Sequence, residues 1–298
     1  MKLKSLVLAM SAGLFTLNVQ AAPDLSKETE AYKQFVIAEM DALLAETEKF
    51  AAYLREGDVE NAKKLYPVAR LHFERSEPIA ESFGDLDPRI DARLVDILAE
   101  ENIVDVPEAA SAEVLQKTMD GVPADKLKIA LDKWSGFHKI EKVLWEDNTT
   151  QGTEETAQQL VNDVKELRAK IPTVDVTPEL MMTGAIDLLN EVSTTKITGE
   201  ENIFSKKDLF DFKANIEGAE KIFVLFKPHV EAKDKALAAT IEAQFKAVND
   251  LLAKHNQAGD GGYDFVDYDT LSADDIKALA EAVNKLGEPL AQMGIILE

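Results

Sequence analysis

The amino-acid sequence predicts an all-α protein built from two helical bundles. Apolar residues recur every three or four positions along most of the chain, and no segment shows the sustained alternation of a β-strand. Glycine, proline or a capping aspartate separates these periodic segments. About ten helices in roughly 275 residues are too many for one four-helix bundle, so we expect two.

The first 21 residues have the composition of a signal peptide. Lys2 and Lys4 precede an apolar stretch that ends in Val19-Gln20-Ala21, a sequence that fits signal-peptidase cleavage. A membrane anchor is the alternative, although the apolar stretch is short for a membrane span. We therefore expect residues 1–21 to direct export to the periplasm and residues 22–298 to form the mature helical domain.

The helices can be placed from their periodicity and their end signals. Gly57 ends the first helix, and Asp58 starts another segment. Gly84 ends the stretch that begins at about Pro67, and Asp87-Pro88 has the form of a capped helix start. The region 151–178, which carries Gly and Pro, is the expected crossover between the bundles. The stretch 259–268 lacks the spacing of a calcium loop and is expected to be a connection. The predicted helices are 30–56, 67–83, one from 87, 107–119, 123–146, 154–170, 178–195, 206–226, 231–255 and 273–290.

The composition excludes several classes of function. The 298 residues include 33 Lys+Arg, 55 Asp+Glu and no Cys, for a net charge of −22. Nucleic acids and anionic membrane surfaces require a basic partner, so neither is expected to bind. The absence of Cys excludes thiolate chemistry, disulfides, iron–sulfur clusters and Cys-ligated zinc. Without Lys2 and Lys4, 31 basic residues face 55 acidic ones, and the charge becomes −24.

The segment 123–146 carries two ionisable residues on an otherwise apolar stripe. That stripe reads Leu127, Leu131, Trp134, His138, Glu141 and Trp145. His138 and Glu141 lie three positions apart, so their side chains project from the same face of a helix. A buried imidazole and carboxylate must either satisfy each other or bind a cation, and the residues alone leave both open. Gly136, nearby, would allow another backbone to approach closely.

A second group of ionisable residues lies between positions 74 and 91. Glu77 interrupts the apolar stripe of 67–83, and Glu74 and Glu81 flank it on the same side. Repulsion among three carboxylates raises their pKa values unless a cation or an arginine neutralises them. Asp91 would fold back towards Glu77 across the corner that separates the two segments. The arginines that could provide neutralisation are Arg70, Arg75 and Arg93.

One histidine with several carboxylates forms a hard, oxygen-rich set of donors. Such a set suits iron, manganese or zinc ions and excludes Cu(I). The H-x-x-E spacing of His138 and Glu141 is by itself a weak signal, because it recurs by chance. The sequence contains no H-E-x-x-H helix, P-loop, dinucleotide fingerprint or G-x-S-x-G elbow.

Several segments resemble the EfeO/EfeM family of periplasmic iron-uptake proteins. They are 73–91; 136–141, which has the G-x-H-x-x-E pattern of imelysin-like domains; 196–201; and 208–219. The matches follow the family order from about residue 66 to residue 226. The chain departs from the family at Phe204-Ser205-Lys206-Lys207, where relatives often have a histidine, and at Asn190, where an acidic residue is common.

The resemblance implies an all-helical, imelysin-like domain of two four-helix bundles that acts in an Efe-type iron uptake system. The helical domain begins almost directly after the signal peptide, as in the short EfeM form that lacks a cupredoxin domain. The family role implies that iron, as Fe²⁺ or Fe³⁺, is captured and delivered to an inner-membrane permease. A periplasmic haem peroxidase is a further partner that such a system can include. Zn²⁺ and Mn²⁺ are other cations that the donors would accept.

The resemblance also assigns metal-site roles to particular residues. It maps them onto His138, Glu141, Glu77 and Asp91, with Glu74 as a neighbour and Glu191 as a further candidate. The leading interpretation is a binding protein and not an enzyme.

Two other functions stay open at this point. In an imelysin-like metallopeptidase, Glu141 would be the general base and a metal-bound water the nucleophile. An alginate- or polysaccharide-binding protein of this charge would need a bridging cation.

Overall fold

The computed structural model describes residues 23–107, 110–259 and 262–297. The predicted signal peptide, 1–21, lies outside these residues. Within them the chain is helical, with one isolated β-bridge between Asn256 and Phe265, so the predicted all-α fold is confirmed. The α-helices are α1 (Ser26–Glu56), α2 (Val59–Glu74), α3 (Leu86–Asp91), α4 (Leu94–Glu100), α5 (Ala112–Asp120), α6 (Ala124–Lys133), α7 (Gly136–Glu146), α8 (Glu154–Lys170), α9 (Pro178–Thr194), α10 (Asp208–Lys233), α11 (Lys235–Ala253) and α12 (Ala273–Leu297). Short 3-10 helices span Glu77–Ser82, Ile171–Thr173, Lys196–Thr198 and Tyr268–Thr270.

Local end signals explain where several helices begin. The Asp58 side chain accepts the Asn61 N–H at the start of α2, and the Thr177 hydroxyl accepts the Leu180 N–H at the start of α9. Asp234 separates α10 from α11 and accepts two backbone N–H groups of α11. None of the described helices combines the length and the apolar character that crossing a membrane requires.

The helices form two four-helix bundles. In the first, α1, α2, α7 and α8 each pack against two neighbours and close a ring. In the second, α9, α10, α11 and α12 close a similar ring. The region 151–178 contains α8 of the first bundle, and residues 171–177 lead into the second.

The two bundles share one hydrophobic core. Helix α2 packs against α10, and the 3-10 helix Glu77–Ser82 packs against α9. Buried apolar residues run without a break from the first bundle to the second. The burial of apolar side chains in this shared core is the main source of stability for a helical domain.

A separate small core lies in the segment between α3 and α7. Helices α4, α5 and α6 pack around their own group of buried side chains. That group comprises Leu94, Val95, Ile97, Leu98, Leu115, Met119, Ala130 and Trp134, together with Ile203 from outside the segment. The chain enters and leaves this segment at neighbouring points, since the Trp134 indole N–H donates to the Ala92 carbonyl at 2.8 Å.

The predicted helix 67–83 is interrupted. The segment expected from Asp58 and the first part of 67–83 form one helix, α2, which runs from Val59 to Glu74. The 3-10 helix Glu77–Ser82 follows. Pro78 has no N–H to donate to the Glu74 carbonyl, which would be its partner in a continuous helix. The Asn215 side chain donates to that carbonyl instead, at 3.1 Å. A residue from the second bundle therefore completes this helix end.

The predicted helix 123–146 is also interrupted, at Trp134 and Ser135. Trp134 and Ser135 have extended backbones, and Gly136 has a φ of 82°. A methyl group at Gly136 would overlap with the carbonyl of Ile90, so the predicted close approach of another backbone is confirmed. His138 and Glu141 both remain on one helix, α7.

The prediction for the end of 206–226 is also wrong. Helix α10 continues through Pro228 to Lys233, and α12 similarly continues through Pro289 to Leu297. Proline interrupts the hydrogen bonding of a helix but does not have to end it when packing holds both halves.

Gly184 lies where α9 meets the 3-10 helix Glu77–Ser82, and its lack of a side chain permits the contact. A Cβ at Gly184 would overlap with the backbone of Pro78. We expect Gly184→Ala to lower the free energy of unfolding by about 1–3 kcal/mol, in urea or thermal melts. Gly287→Ala in α12 is the matched control, because its Cβ would meet only the Asn190 side chain at 3.9 Å. It should stabilise by up to about 1 kcal/mol, and equal effects of the two substitutions would contradict this account.

Candidate metal centre

Ionisable side chains from both bundles, together with one asparagine, converge on one buried region. Helix α2 contributes Arg70 and Glu74, α3 contributes Asp91, and α7 contributes His138 and Glu141. The second bundle contributes Asp211 and Asn215 from α10. The segment between α9 and α10 supplies Lys196 and Glu201. Charged groups are buried only when partners offset their loss of hydration, so each contact here has a consequence.

The two ring nitrogens of His138 have different surroundings. Nδ1 lies 2.9 Å from Glu141 Oε2 and 3.3 Å from the Tyr66 hydroxyl. Nε2 is buried without a hydrogen-bond partner, and the whole side chain is 2% exposed. The carboxylate of Glu141 favours a proton on Nδ1. Burial and Arg70 oppose a second proton on the ring, but Glu141, Glu201 and Asp91 outweigh them and raise the pKa of His138 to about 10. Near neutral pH, Nε2 therefore also carries a proton, which a metal ion would displace.

The carboxylates of Asp91 and Glu201 face His138 Nε2. Asp91 Oδ1 lies 3.7 Å from His138 Nε2, and Glu201 Oε1 lies 3.6 Å from it. One ligand atom of each of the three residues lies within 4.8 Å of the others. In the described part of the chain, this is the one group of at least three His, Asp or Glu residues that meets that spacing. A nitrogen and two carboxylates are donors that fit iron, manganese or zinc.

Glu141 faces away from this group. Its Oε2 contacts His138 Nδ1, and its Oε1 accepts the backbone N–H groups of Phe204 at 3.2 Å and Ser205 at 2.8 Å. Both oxygens are therefore engaged, and the side chain is fully buried. The structure places this predicted ligand where it orients the imidazole ring.

Arg70 lies at the centre of the carboxylates, fully buried. Its guanidinium donates to Asp91, to Glu74 at 2.5 Å, to Asp211 at 3.3 Å and to Glu201 at 3.4 Å. An arginine is thus present as the alternative to a bound cation that the sequence left open. Asp91 Oδ1 and Glu201 Oε1, which accept from Arg70, are the same two oxygens that face His138 Nε2. A metal ion at Nε2 would therefore share these oxygens with Arg70.

Glu74 and Glu77, two further predicted site residues, pair with Lys196. The Lys196 ammonium lies 3.2 Å from Glu74 Oε2 and 3.0 Å from Glu77 Oε1. Asn215 donates to the same two carboxylates. Neither glutamate joins the group around His138 Nε2.

Glu191, the last predicted site residue, is exposed on the wall of a neighbouring cavity. That cavity has a volume of about 290 Å³, and Glu77, Asp91, Lys196 and Glu201 also line it. A larger space of about 520 Å³ adjoins it and shares three acidic residues with it: Glu77, Asp87 and Glu191. Small cations can therefore reach Asp91 and Glu201 along an acidic surface.

Sequence reasoning missed Glu201 and Lys196 as members of the site. Both belong to the stretch 196–201, which resembles the family but to which the sequence assigned no metal-binding role. The one sequence feature that could have indicated a ligand is the pair of carboxylates Glu200-Glu201. This segment is too short for periodicity to show which of its side chains are buried.

Comparisons with known proteins agree with the resemblance. A family model described as imelysin, which is labelled as a peptidase family, matches residues 28–293. An "Efem/EfeO family lipoprotein" of Staphylococcus haemolyticus is 48% identical over 275 residues, which cover 92% of this chain and 85% of that protein. A protein of the same description from Staphylococcus aureus is 47% identical over 276 residues, or 92% and 86%.

The excess of carboxylates changes the proton affinity of the region. Burial, with the charges of Asp91 and Glu74, raises the pKa of Asp87 to about 7. Burial raises the pKa of Asp91 to about 6, although Arg70 and His138 act against it. Burial also opposes ionisation of Glu201, but Lys196 and His138 outweigh it and hold the pKa of Glu201 well below its usual range. Negative charge is thus only partly neutralised in the protein itself.

Stability should therefore depend on pH. Asp87 and Asp91 titrate above their unfolded value of 3.8, so the folded state binds extra protons between about pH 4 and 7. Their contribution is fully present below the unfolded pKa and is lost as the pH rises through the folded values of about 6 and 7. In that window we expect the unfolding free energy to fall as pH rises, by about 1.4 kcal/mol per pH unit for each extra proton bound, and to level off above it. Thermal melts between about pH 4 and 8 measure this.

Two variants test the assignment of this pH dependence. Asp87→Asn removes one of the titrating groups and should flatten the dependence. Asp41→Asn is the control, since a hydrogen bond from Arg168 lowers the pKa of Asp41 and keeps its titration outside the window. A slope of opposite sign, or one that Asp87→Asn leaves unchanged, would contradict the assignment.

Proposed function

The chain belongs to the imelysin family and is a homologue of Efem/EfeO family lipoproteins, and on that basis we propose that it is the metal-binding component of an Efe-type iron uptake system. In this proposal, residues 1–21 direct export and residues 22–298 form the mature, extracytoplasmic domain. The domain captures iron and delivers it to an inner-membrane permease. The names of the relatives, which describe lipoproteins, support a location outside the cytoplasm.

The observation that carries the proposal is the convergence of His138 Nε2 with the carboxylates of Asp91 and Glu201. Nε2 is buried and lies 3.7 Å from Asp91 and 3.6 Å from Glu201, beyond hydrogen-bond distance of both. Its polar contacts in the protein alone are therefore incomplete. A metal ion that displaces the Nε2 proton would complete them and would also neutralise part of the carboxylate charge.

The site residues then divide by role. Asp91, His138 and Glu201 would hold the ion. Glu141 would fix the ring and tautomer of His138, as carboxylates do for many metal-binding histidines. Binding requires an unprotonated Nε2 and ionised carboxylates, so it should weaken in acid.

The other predicted site residues surround the ion at a distance. Glu74, Glu77 and Glu191 would add negative charge beside the site and along its acidic cavity. This charge, like the −22 of the whole chain, raises the local concentration of cations.

The metallopeptidase function has weaker support. Its general base would be Glu141, but both carboxylate oxygens of Glu141 are engaged by His138 and by the backbone of Phe204 and Ser205. These contacts direct Glu141 away from a metal ion at His138 Nε2, so Glu141 is not placed to take a proton from a water molecule there.

Polysaccharide binding also has weaker support, because the cavities beside the site are lined by carboxylates that repel a uronate polymer.

Removing the proposed ligands should weaken iron binding. We expect His138→Ala and Glu201→Gln each to lower the affinity for Fe(II) by about tenfold or more, since each removes a donor to the ion. Anaerobic calorimetric titration of the mature protein measures this, with Zn(II), Mn(II) and Fe(III)-citrate as comparison ligands. Circular dichroism would establish that the variants remain helical.

Matched controls separate a loss of ligand from a general loss of charge. His229 pairs with Glu28 at 2.9 Å, and Glu217 pairs with Arg75 at 2.7 Å. His229→Ala and Glu217→Gln should therefore leave iron affinity unchanged. Unaltered affinity in folded His138→Ala and Glu201→Gln would overturn the proposal and would make His138 and Glu141 a structural pair.

A further inference from the structure

We propose that the ammonium group of Lys196 occupies the place of a second cation beside the iron site, and that this lysine limits the cluster to one metal ion. The inference deepens the proposed function and rests on it for the position of the first ion. It concerns stoichiometry, which the family relationship does not determine.

The surroundings of Lys196 are those of a cation site. Its ammonium lies 3.2 Å from Glu74 Oε2 and 3.0 and 3.1 Å from the two oxygens of Glu77. Glu201 Oε2 lies 3.9 Å away. The lysine side chain is only 4% exposed. Carboxylate oxygens from three residues therefore enclose one positive charge, as they would enclose a small metal ion.

Glu201 connects this place to the proposed iron site. Its Oε1 lies 3.6 Å from His138 Nε2, whereas its Oε2 faces the Lys196 ammonium. One carboxylate thus directs an oxygen at each position. His138 Nε2, whose side chain is 2% exposed and which has no hydrogen-bond partner, is the independent sign of a ligand position on the other side of Glu201.

A cation from solution could reach the place that Lys196 fills. Lys196, Glu77 and Glu201 all line the cavity of about 290 Å³. Glu77 keeps 17% of its side chain exposed. The place that the Lys196 ammonium fills is therefore enclosed by neighbouring side chains but connects to the acidic cavity.

The lysine has two effects in this arrangement. It satisfies Glu74 and Glu77 in the absence of metal, which keeps two carboxylates ordered beside the site. It also cancels one unit of the negative charge that the first ion experiences, and so weakens the hold on an ion that must later be released. Arg70 has the same sign but contacts the other oxygen of Glu74, at 2.5 Å, so the two cations do not substitute for each other.

Replacing the lysine tests the inference. Lys196→Met keeps much of the side-chain volume without the charge, and Lys196→Gln adds an amide that can donate to one carboxylate. Lys196→Arg retains the charge and is the control. Each protein is equilibrated by dialysis against Mn(II), and bound manganese per chain is measured beside calorimetric titration. We expect one ion for wild type and Lys196→Arg and two for Lys196→Met and Lys196→Gln.

The deciding measurement is the number of manganese ions bound per chain in each variant minus the number bound by wild type. No gain in folded Lys196→Met and Lys196→Gln overturns the inference, whatever wild type binds. If wild type binds no Mn(II), a gain of one ion in the neutral variants still supports the role of Lys196, and the iron titration decides the proposed function separately. If the neutral variants unfold without metal, they are refolded with Mn(II). Recovery with one ion more than wild type binds supports the inference, and failure to recover overturns it.

Discussion

The buried guanidinium of Arg70 is the interaction on which the rest of the structure depends. It is fully buried on α2 and reaches Asp91 on α3, Glu201 beyond α9 and Asp211 on α10. A charge removed from water requires several well-placed partners, so these elements must converge on it. The two bundles are therefore held in one relative position by a polar contact inside a shared apolar core. Because the carboxylates outnumber the cations, the same convergence leaves negative charge available for a metal ion.

The helical fold could be predicted because its signals are local. Periodicity, glycine ends and capping aspartates depend on residues within a few positions of each other. The interruptions at Glu74 and Trp134 could not be placed, because each depends on a distant residue. Asn215 replaces the donor that Pro78 lacks, and the Ile90 carbonyl lies where a side chain at Gly136 would be. Both are tertiary contacts between segments far apart in the sequence.

The candidate site was predictable where an ionisable residue broke an apolar stripe. His138 and Glu141 were found in this way on α7. Asp91 was expected to fold back towards Glu77. The two residues line one cavity, but Asp91 contacts Arg70 and Glu77 pairs with Lys196. The sequence could not show which imidazole nitrogen faces the carboxylates of Asp91 and Glu201, since that depends on the contact between Glu141 and Nδ1. Glu201 and Lys196 escaped detection because they lie in a short irregular segment. There, burial follows from the neighbouring helices and not from spacing along the chain.

The segment of α4, α5 and α6 has the properties of an inserted module. Its ends meet where Trp134 donates to the Ala92 carbonyl, and it has a core of its own. A loop whose ends are already close can change in length at small entropic cost. This part of the chain can therefore diverge in size and surface, or accept a fused domain, while the ring of helices beneath it keeps its order. Arg93, which pairs with Glu200 at 3.3 Å, is one link between this segment and the buried charges.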